Sequence, residues 1–301
     1  VYTESMDDGE SRVVSIAGLT IANADTAMVA RTTMPPPRFA PLMVAVKLTD
    51  CMLRDSRLGL FYNSAAVIAN GLSVRDNDLY GIEGVVRCDL DLNNSSIRGN
   101  GTGIRLYQAY PAAPMEISHT EIVANGVGVR YFQEYGGMTM KSCRVDSSTT
   151  GDGVLAYPDE DYLVIEDCYF RANARNGVSA WLTSVNALRC EFSDNGAQGL
   201  DVWNHLNSLR LEESRFLPNG VWGIGSSTWK DGGERPLKPG GESTQDLEGI
   251  SVELIDCEIR DNAAGGIDID DGYSLVGIDG SMIVDNGGPG LVIGSDRTPA
   301  C

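Results

Sequence analysis

Residues 190–200 read Cys190-Glu-Phe-Ser-Asp-Asn-Gly-Ala-Gln-Gly-Leu200. The stretch places a small residue first, an apolar residue two positions on, an asparagine three further, then a glycine followed by an apolar residue. The same order returns at Cys168, Phe170, Asn173 and Gly177, and at Ser214, Phe216, Asn219 and Gly223. It returns again at Cys257, Ile259, Asn262 and Gly266, and at Ser281, Ile283, Asn286 and Gly290. Towards the N-terminus it runs through Ile122, Asn125 and Gly128, then Ile97, Asn100 and Gly103, then Val74, Asn77 and Gly81. Ser56 and Ser148 stand in the asparagine place of two copies that keep Gly59 and Gly153, and a weaker first copy runs through Ile16, Leu19 and Ile21.

Successive copies start 21 to 25 residues apart from Cys51 to Ser214. A repeat of that length signals a solenoid, because three short strands per coil cannot bury a core until neighbouring coils stack on them. Stacked strands lie about 4.8 Å apart and share backbone hydrogen bonds. An asparagine in every coil can pass amide hydrogen bonds along the stack. The glycine is expected at a corner, where it allows a bend that a β-carbon resists. Leucine is not periodic enough for a leucine-rich solenoid. The pattern therefore predicts an all-β, right-handed parallel β-helix of about eleven coils, one domain over residues 1–301. The step from Ser214 to Cys257 is nearly double, which marks an insertion at about 226–247, rich in glycine, proline and charge.

Composition narrows the function. The 35 glycines, with no long helical stripe, suit a turn-rich all-β chain. No apolar run reaches membrane-spanning length, which excludes membrane insertion. The first residues lack the basic start and apolar core of a secretion signal. A formal net charge of -19 argues against nucleic acid and anionic lipid, which need clustered cations. Such a charge also serves simply to keep an exposed solenoid from associating.

Cys51, Cys143, Cys168, Cys190 and Cys257 share the small inward position, and Ser214 and Ser281 replace them elsewhere. With no Cys-x-x-Cys spacing, a buried thiol column is expected rather than a metal site. Cys88 and Cys301 fall outside that column, and seven cysteines leave at least one thiol free.

The strand after each repeat glycine carries the candidate chemistry. Alternation points residues one and three after the glycine inward, and residues two and four outward. Tyr107, Phe132, Tyr157, Trp181 and Trp203 lie four on from the glycine in five consecutive coils. An outward aromatic stripe suits the flat apolar faces of sugar rings; the competing expectation is a small second core beneath overlying loops. Arg105, Arg130, Ser179, Asp201 and Asp268 lie two on from the glycine, and Asp152 just before it. Asp152 and Asp201 form a candidate carboxylate pair two coils apart, about 10 Å along the axis, with Arg130 beside them. His205 follows Trp203 and Asn204 and extends the candidate ligand surface, whereas His119 reads as structural. The acidic run of Asp268, Asp270 and Asp271 is the candidate site for a hard cation such as Ca²⁺, although it matches no calcium-loop motif.

The coils Cys168–Val178 and Cys190–Leu200 resemble the repeats of pectin-lyase-like β-helix proteins. That superfamily includes polygalacturonases, pectate lyases and carbohydrate-associated surface domains. The resemblance extends from about Val13 to Ile293 and implies that the strand after the glycine lines a glycan cleft. Catalytic motifs match poorly. Asp152-Gly153 stands at the second position of the family's Asp-Asp pair, with Gly151 at the first. Gly103-Ile104-Arg105-Leu106 and Gly128-Val129-Arg130-Tyr131 are similar to its arginine motif, but Tyr107 and Phe132 replace the lysine, and no His-Gly pair occurs. A lyase-like route would use Arg130 with Asp152 and Asp201.

Three functions follow as expectations. The first is a secreted or cell-surface domain that binds polysaccharide and belongs to a larger protein. The second is a polysaccharide lyase or glycoside hydrolase acting in the same groove. The third is a structural stalk or adhesin in which the stripe is buried. Residues Trp229, Lys230, Arg235 and Lys238 of the insertion are expected either to fold over one end of the groove or to form a surface loop.

Overall fold

The structure is a computed structural model that describes residues 2–5, 12–32, 44–108, 115–133, 136–158, 162–181, 184–203, 208–227, 251–269 and 275–293. Each repeat contributes three strand segments to a coil, two of them continuous in the long strands Leu58–Asn70 and Tyr80–Asn93, and the pairings between coils are parallel, with a register shift between Asn63 and Ala65. Short strands such as Tyr169–Arg171 and Glu191–Ser193 stack into a narrow sheet of eleven strands, which sets the number of coils. The strands after the glycines, such as Thr102–Gln108, Val127–Gln133 and Val154–Pro158, form a second face, here called the aromatic sheet. Strands such as Met138–Lys141 and Tyr162–Glu166 form a third sheet, which the long strands Leu58–Asn70 and Tyr80–Asn93 join to the aromatic sheet. Among the described residues there is no helix long and apolar enough to cross a membrane.

Alternation holds on all three sheets. In Thr102–Gln108, Ile104 and Leu106 point into the solenoid while Arg105 and Tyr107 point out. Inside, identical residues stack on one another along the axis. Phe170, Phe192 and Phe216 lie with ring centroids 5.1 and 4.6 Å apart and nearly parallel planes. The six described cysteines are all buried and unbridged. Five of them form the expected column, in which each thiol donates to the carbonyl two residues back, as Cys168 does to Glu166 at 3.2 Å. The column also accepts from the preceding coil: the Cys143 N–H donates to the Cys168 sulfur at 3.4 Å, and the Cys190 N–H to the Ser214 hydroxyl at 3.1 Å. Hydrogen bonding to Cys168 and then burial hold the Cys143 thiol far above its ordinary pKa. Cys88 is buried at the start of a third-sheet segment, opposite Ala65.

The asparagine ladder runs as the repeat predicts. Where the next coil also carries an asparagine, the side-chain amide donates to its amide oxygen, at 2.9 Å from Asn173 to Asn195 and 3.0 Å from Asn195 to Asn219. Across the insertion, Asn219 still reaches Asn262 at 2.9 Å, and the strand Ser208–Glu212 pairs with Ser251–Ile255. The stack is therefore continuous there, and the insertion beyond Ser227 lies outside the described residues.

The repeat glycines have a different role from the one expected. None of them has positive φ; the bends fall on other residues. One set, including Asp50, Asn94, Ser142 and Asp167, precedes the small inward residue, and another, including Asp55, Asp76, Ala172 and Asp194, precedes the ladder residue. Many are aspartate, asparagine or serine, whose short polar side chains ease the left-handed conformation. The glycines are needed for closeness instead. A β-carbon on Gly103 would sit 2.6 Å from the Gly128 carbonyl oxygen and 3.0 Å from the Asn125 amide nitrogen. His119 is an exposed corner residue with φ 49° between two strands.

Candidate functional site

The outward face of the aromatic sheet carries three parallel columns. The residue before each glycine starts the first, with Asp152, Asn176, Gln198 and Trp222 in successive coils. The second, in register, runs Arg130, Leu155, Ser179, Asp201, Gly225 and Asp268. The third is the aromatic column. Tyr107, Phe132 and Tyr157 are in register, and Trp203 pairs through its backbone with Ser227. The side chain of Trp203 and residues His205, Asp270 and Asp271 lie outside the described residues.

The first two columns meet in a hydrogen-bonded cluster. The Asn176 backbone N–H donates to Asp152 Oδ1 at 3.0 Å. Its side-chain Nδ2 donates to the Ser179 hydroxyl at 2.9 Å and to Asp201 Oδ2 at 3.3 Å. Its own Oδ1 accepts the Gln198 backbone N–H at 2.9 Å. Asp152 and Asp201, read from sequence as a pair two coils apart, are thus joined through the residue between them. Asp201 is only 1% exposed, and Asp152, Asn176 and Ser179 are buried with it. Burial raises the Asp152 carboxyl above its ordinary range, opposed by the Asn176 N–H and by the nearby charge of Arg175. Burial, and then the negative charge of Asp152, push the Tyr157 phenol up to about 12.

The aromatic column is graded. Tyr107 is 44% exposed, Phe132 and Tyr157 are half-buried, and Trp181 is 8% exposed. The rings pack on one another: Phe132 stacks on Tyr157 at 4.9 Å, Tyr157 meets Trp181 edge-on at 5.2 Å, and Tyr107 tilts against Phe132 at 6.5 Å. Where two rings stack face to face, those faces are closed to a ligand, so Tyr107 presents the most accessible surface. The Arg130 guanidinium lies 5.3 Å from the Phe132 ring centre, with no carboxylate at ion-pair distance among the described residues. Arg105, by contrast, is paired with Glu83 at 2.5 Å and sits over the Tyr80 ring.

Asp268 is buried one coil beyond Gly225 in the second column. Asp285, one coil further on, is a corner residue with positive φ, away from that column. Among the described residues, no group of three His, Cys, Asp or Glu side chains is arranged to hold a metal ion.

Counting from the repeat glycine points to Asp152, Ser179 and Asp201 but not to Asn176, which links them. The signal was available: Asn176 precedes Gly177 as Asp152 precedes Gly153. Gln198 and Trp222 occupy that same place and were missed for the same reason.

A parallel solenoid of three sheets, one of them carrying a polar and aromatic outer face, defines the class of protein. The chain belongs to the right-handed β-helix family: the family described as "right handed beta helix region" matches residues 46–216, more than half of its length. Comparison with curated protein sequences finds no match. Among solved structures, a variant of the periplasmic alginate epimerase AlgG is similar at 14% identity and a TM-score of 0.49, over 80% of this chain and 51% of that one. The A-module of the Azotobacter vinelandii mannuronan C-5 epimerase AlgE4 is similar at 13% identity and a TM-score of 0.38, over 93% and 87% of the two chains. The catalytic domain of a GH87 α-1,3-glucanase is similar at 9% identity and a TM-score of 0.40, over 95% and 68%. The chain spans about half the length of the alginate epimerase chain. These are likenesses of fold, and function rests on the site itself.

Proposed function

We propose that this protein binds an extended polysaccharide along the aromatic sheet. The observation that carries this reading is the cluster of Asp152, Asn176, Ser179 and Asp201 on the outward face, beside the aromatic column. Inward residues alone supply the core of the solenoid, so stacking does not call for buried carboxylates on an outer face, where their desolvation is costly. Carboxylates, amides and the Arg130 guanidinium match hydroxyl-rich sugar, and the exposed Tyr107 ring matches its apolar face. A stalk or adhesin would bury the whole stripe, which suits Trp181 but not Tyr107. A glycan partner also suits a protein that is secreted or held at a cell surface as part of a larger chain.

The test is binding of the intact protein to alginate, polygalacturonate and α-1,3-glucan, beside Tyr107→Ala and Arg130→Ala. Both side chains project outward, so their loss leaves the core intact. We expect each variant to weaken binding by roughly tenfold, the scale of one lost ring or charge contact. Binding untouched by either variant would remove the groove from consideration.

A second reading, catalysis on the same glycan, is favoured by one observation. Asp152, with its raised pKa, and Asp201 flank a single asparagine, an arrangement that sets a carboxyl with a raised pKa near a second carboxyl. Release of shorter chains from a bound polymer, lost in Asp152→Asn and Asp201→Asn with binding retained, would establish it. A polymer of unchanged length after prolonged incubation would leave binding alone.

A further inference from the structure

The first column continues beyond the cluster to Trp222, in the ninth coil. Trp222 pairs in register with Gly265, and its indole fills the space where a side chain at Gly265 would begin. A β-carbon there would lie 1.9 Å from Cζ3 and 2.5 Å from Cε3 of the Trp222 ring. Gly225, beside it in the second column, is covered in the same manner by the Gln198 side chain, whose Cγ would lie 2.7 Å from a β-carbon. Two side-chain-free positions on the outer face thus receive two long side chains from the preceding coil, and both lean along the axis against bare backbone.

Trp222 consequently differs from the rings of the aromatic column. It is half-buried, it is held by backbone, and among the described residues no other ring stacks on it. Asp201 and Asp268 stand on either side of Gly225 in the adjoining column and are both almost fully buried, with the Gln198 side chain over the glycine between them. A half-buried indole seated on bare backbone, with no other ring stacked on it, is suited to the apolar C–H face of a pyranose ring.

We infer that Trp222 is a second sugar-stacking subsite, seated by Gly265, at the far end of the groove that begins at Tyr107. This rests on the polysaccharide-binding reading. Tyr107 belongs to the fourth coil and Trp222 to the ninth, so the two lie about 24 Å apart along the axis at the usual strand spacing. Only a long chain touches both.

The test uses the intact protein with alginate, polygalacturonate and α-1,3-glucan, each as polymer and as trisaccharide. The variants are Trp222→Ala, Gly265→Ala and Tyr107→Ala, with folding checked by urea denaturation. The added methyl of Gly265→Ala meets only the far end of the indole, so it displaces the ring without touching the stack. For the polymer that binds, Trp222→Ala and Gly265→Ala should each lose about tenfold in affinity, while trisaccharide bound at the Tyr107 end changes by less than about twofold. Tyr107→Ala should weaken both lengths. Polymer affinity that falls in Tyr107→Ala but is unchanged in Trp222→Ala overturns the second subsite and leaves the groove standing. No binding to any of the three glycans, or binding that none of the variants alters, overturns both.

Discussion

At the scale of single residues, Gly103 and Asp152 show two different constraints. Gly103 has no unusual backbone angle, yet the next coil's carbonyl oxygen stands 2.6 Å from any β-carbon placed there. Backbone cannot yield as a side chain can, so Gly103→Ala must push two coils apart. We expect a loss of about 1–3 kcal/mol, read as a lower urea midpoint. The first coil carries Ala27 in this place, where the next ladder residue is the smaller Ser56 rather than an asparagine. Asp152 constrains through charge. Its carboxyl titrates higher in the folded protein than the ordinary 3.8, so between those two values the folded state binds more protons than the unfolded. Stability from this group is therefore fully present below the ordinary value and is lost as pH rises through the raised one. Asp152→Asn keeps an oxygen for the Asn176 N–H and cannot ionise. Its urea midpoint should exceed that of the parent protein at pH 7, and the difference should close as the pH falls below the ordinary carboxylate range. A gap that widens towards acid would contradict the assignment of burial as the dominant influence.

At the scale of the element, the informative unit is the column rather than the strand. In most coils the small inward position holds cysteine, serine or threonine, which accepts an N–H from the preceding coil as well as fitting the core, while Leu72 fills it by volume alone. Cys168→Ser should fold with stability within about 1 kcal/mol of the parent, since Ser214 already fills that role for Cys190. Cys168→Val should lose about 1–3 kcal/mol, because the buried Cys143 N–H then has no acceptor. Equal urea midpoints for the serine and valine variants would show that only volume matters. The columns also explain which parts of the site could be read in advance. Asp201 and Trp181 were found by counting from the glycine, since strand alternation is strict. Asn176 was not, because its importance comes from reaching two neighbouring coils at once.

At the scale of the whole molecule, stability is shared between neighbouring coils. The pairing of Trp222–Ser227 with Gly265–Ile269, and of Ser208–Glu212 with Ser251–Ile255, carries the stack past the insertion. Replacing residues 230–248 with a four-residue Gly/Ser linker should therefore change the urea midpoint by an amount equivalent to no more than about 1 kcal/mol, the scale of loop-closure entropy. A larger loss would mean that the insertion itself packs on the solenoid. The last coil has no neighbour beyond it among the described residues. Ile278, Met282, Val284, Leu291 and Ile293, which include residues in inward register, are accordingly exposed there.

The repeat by itself determined the fold class, the number of coils, the inward thiol column, the asparagine ladder and the face on which the aromatic column lies. All of these follow from a period that each coil must satisfy to stack on the next, and a period is visible in one dimension. Only the tertiary structure decided that the glycines serve close approach rather than bending. It alone showed that the aromatic rings stack on one another, that Asn176 joins Asp152 to Asp201, and that Trp222 lies on Gly265. Each of those depends on side-chain reach between coils and on burial, and the spacing of residues along a chain specifies neither.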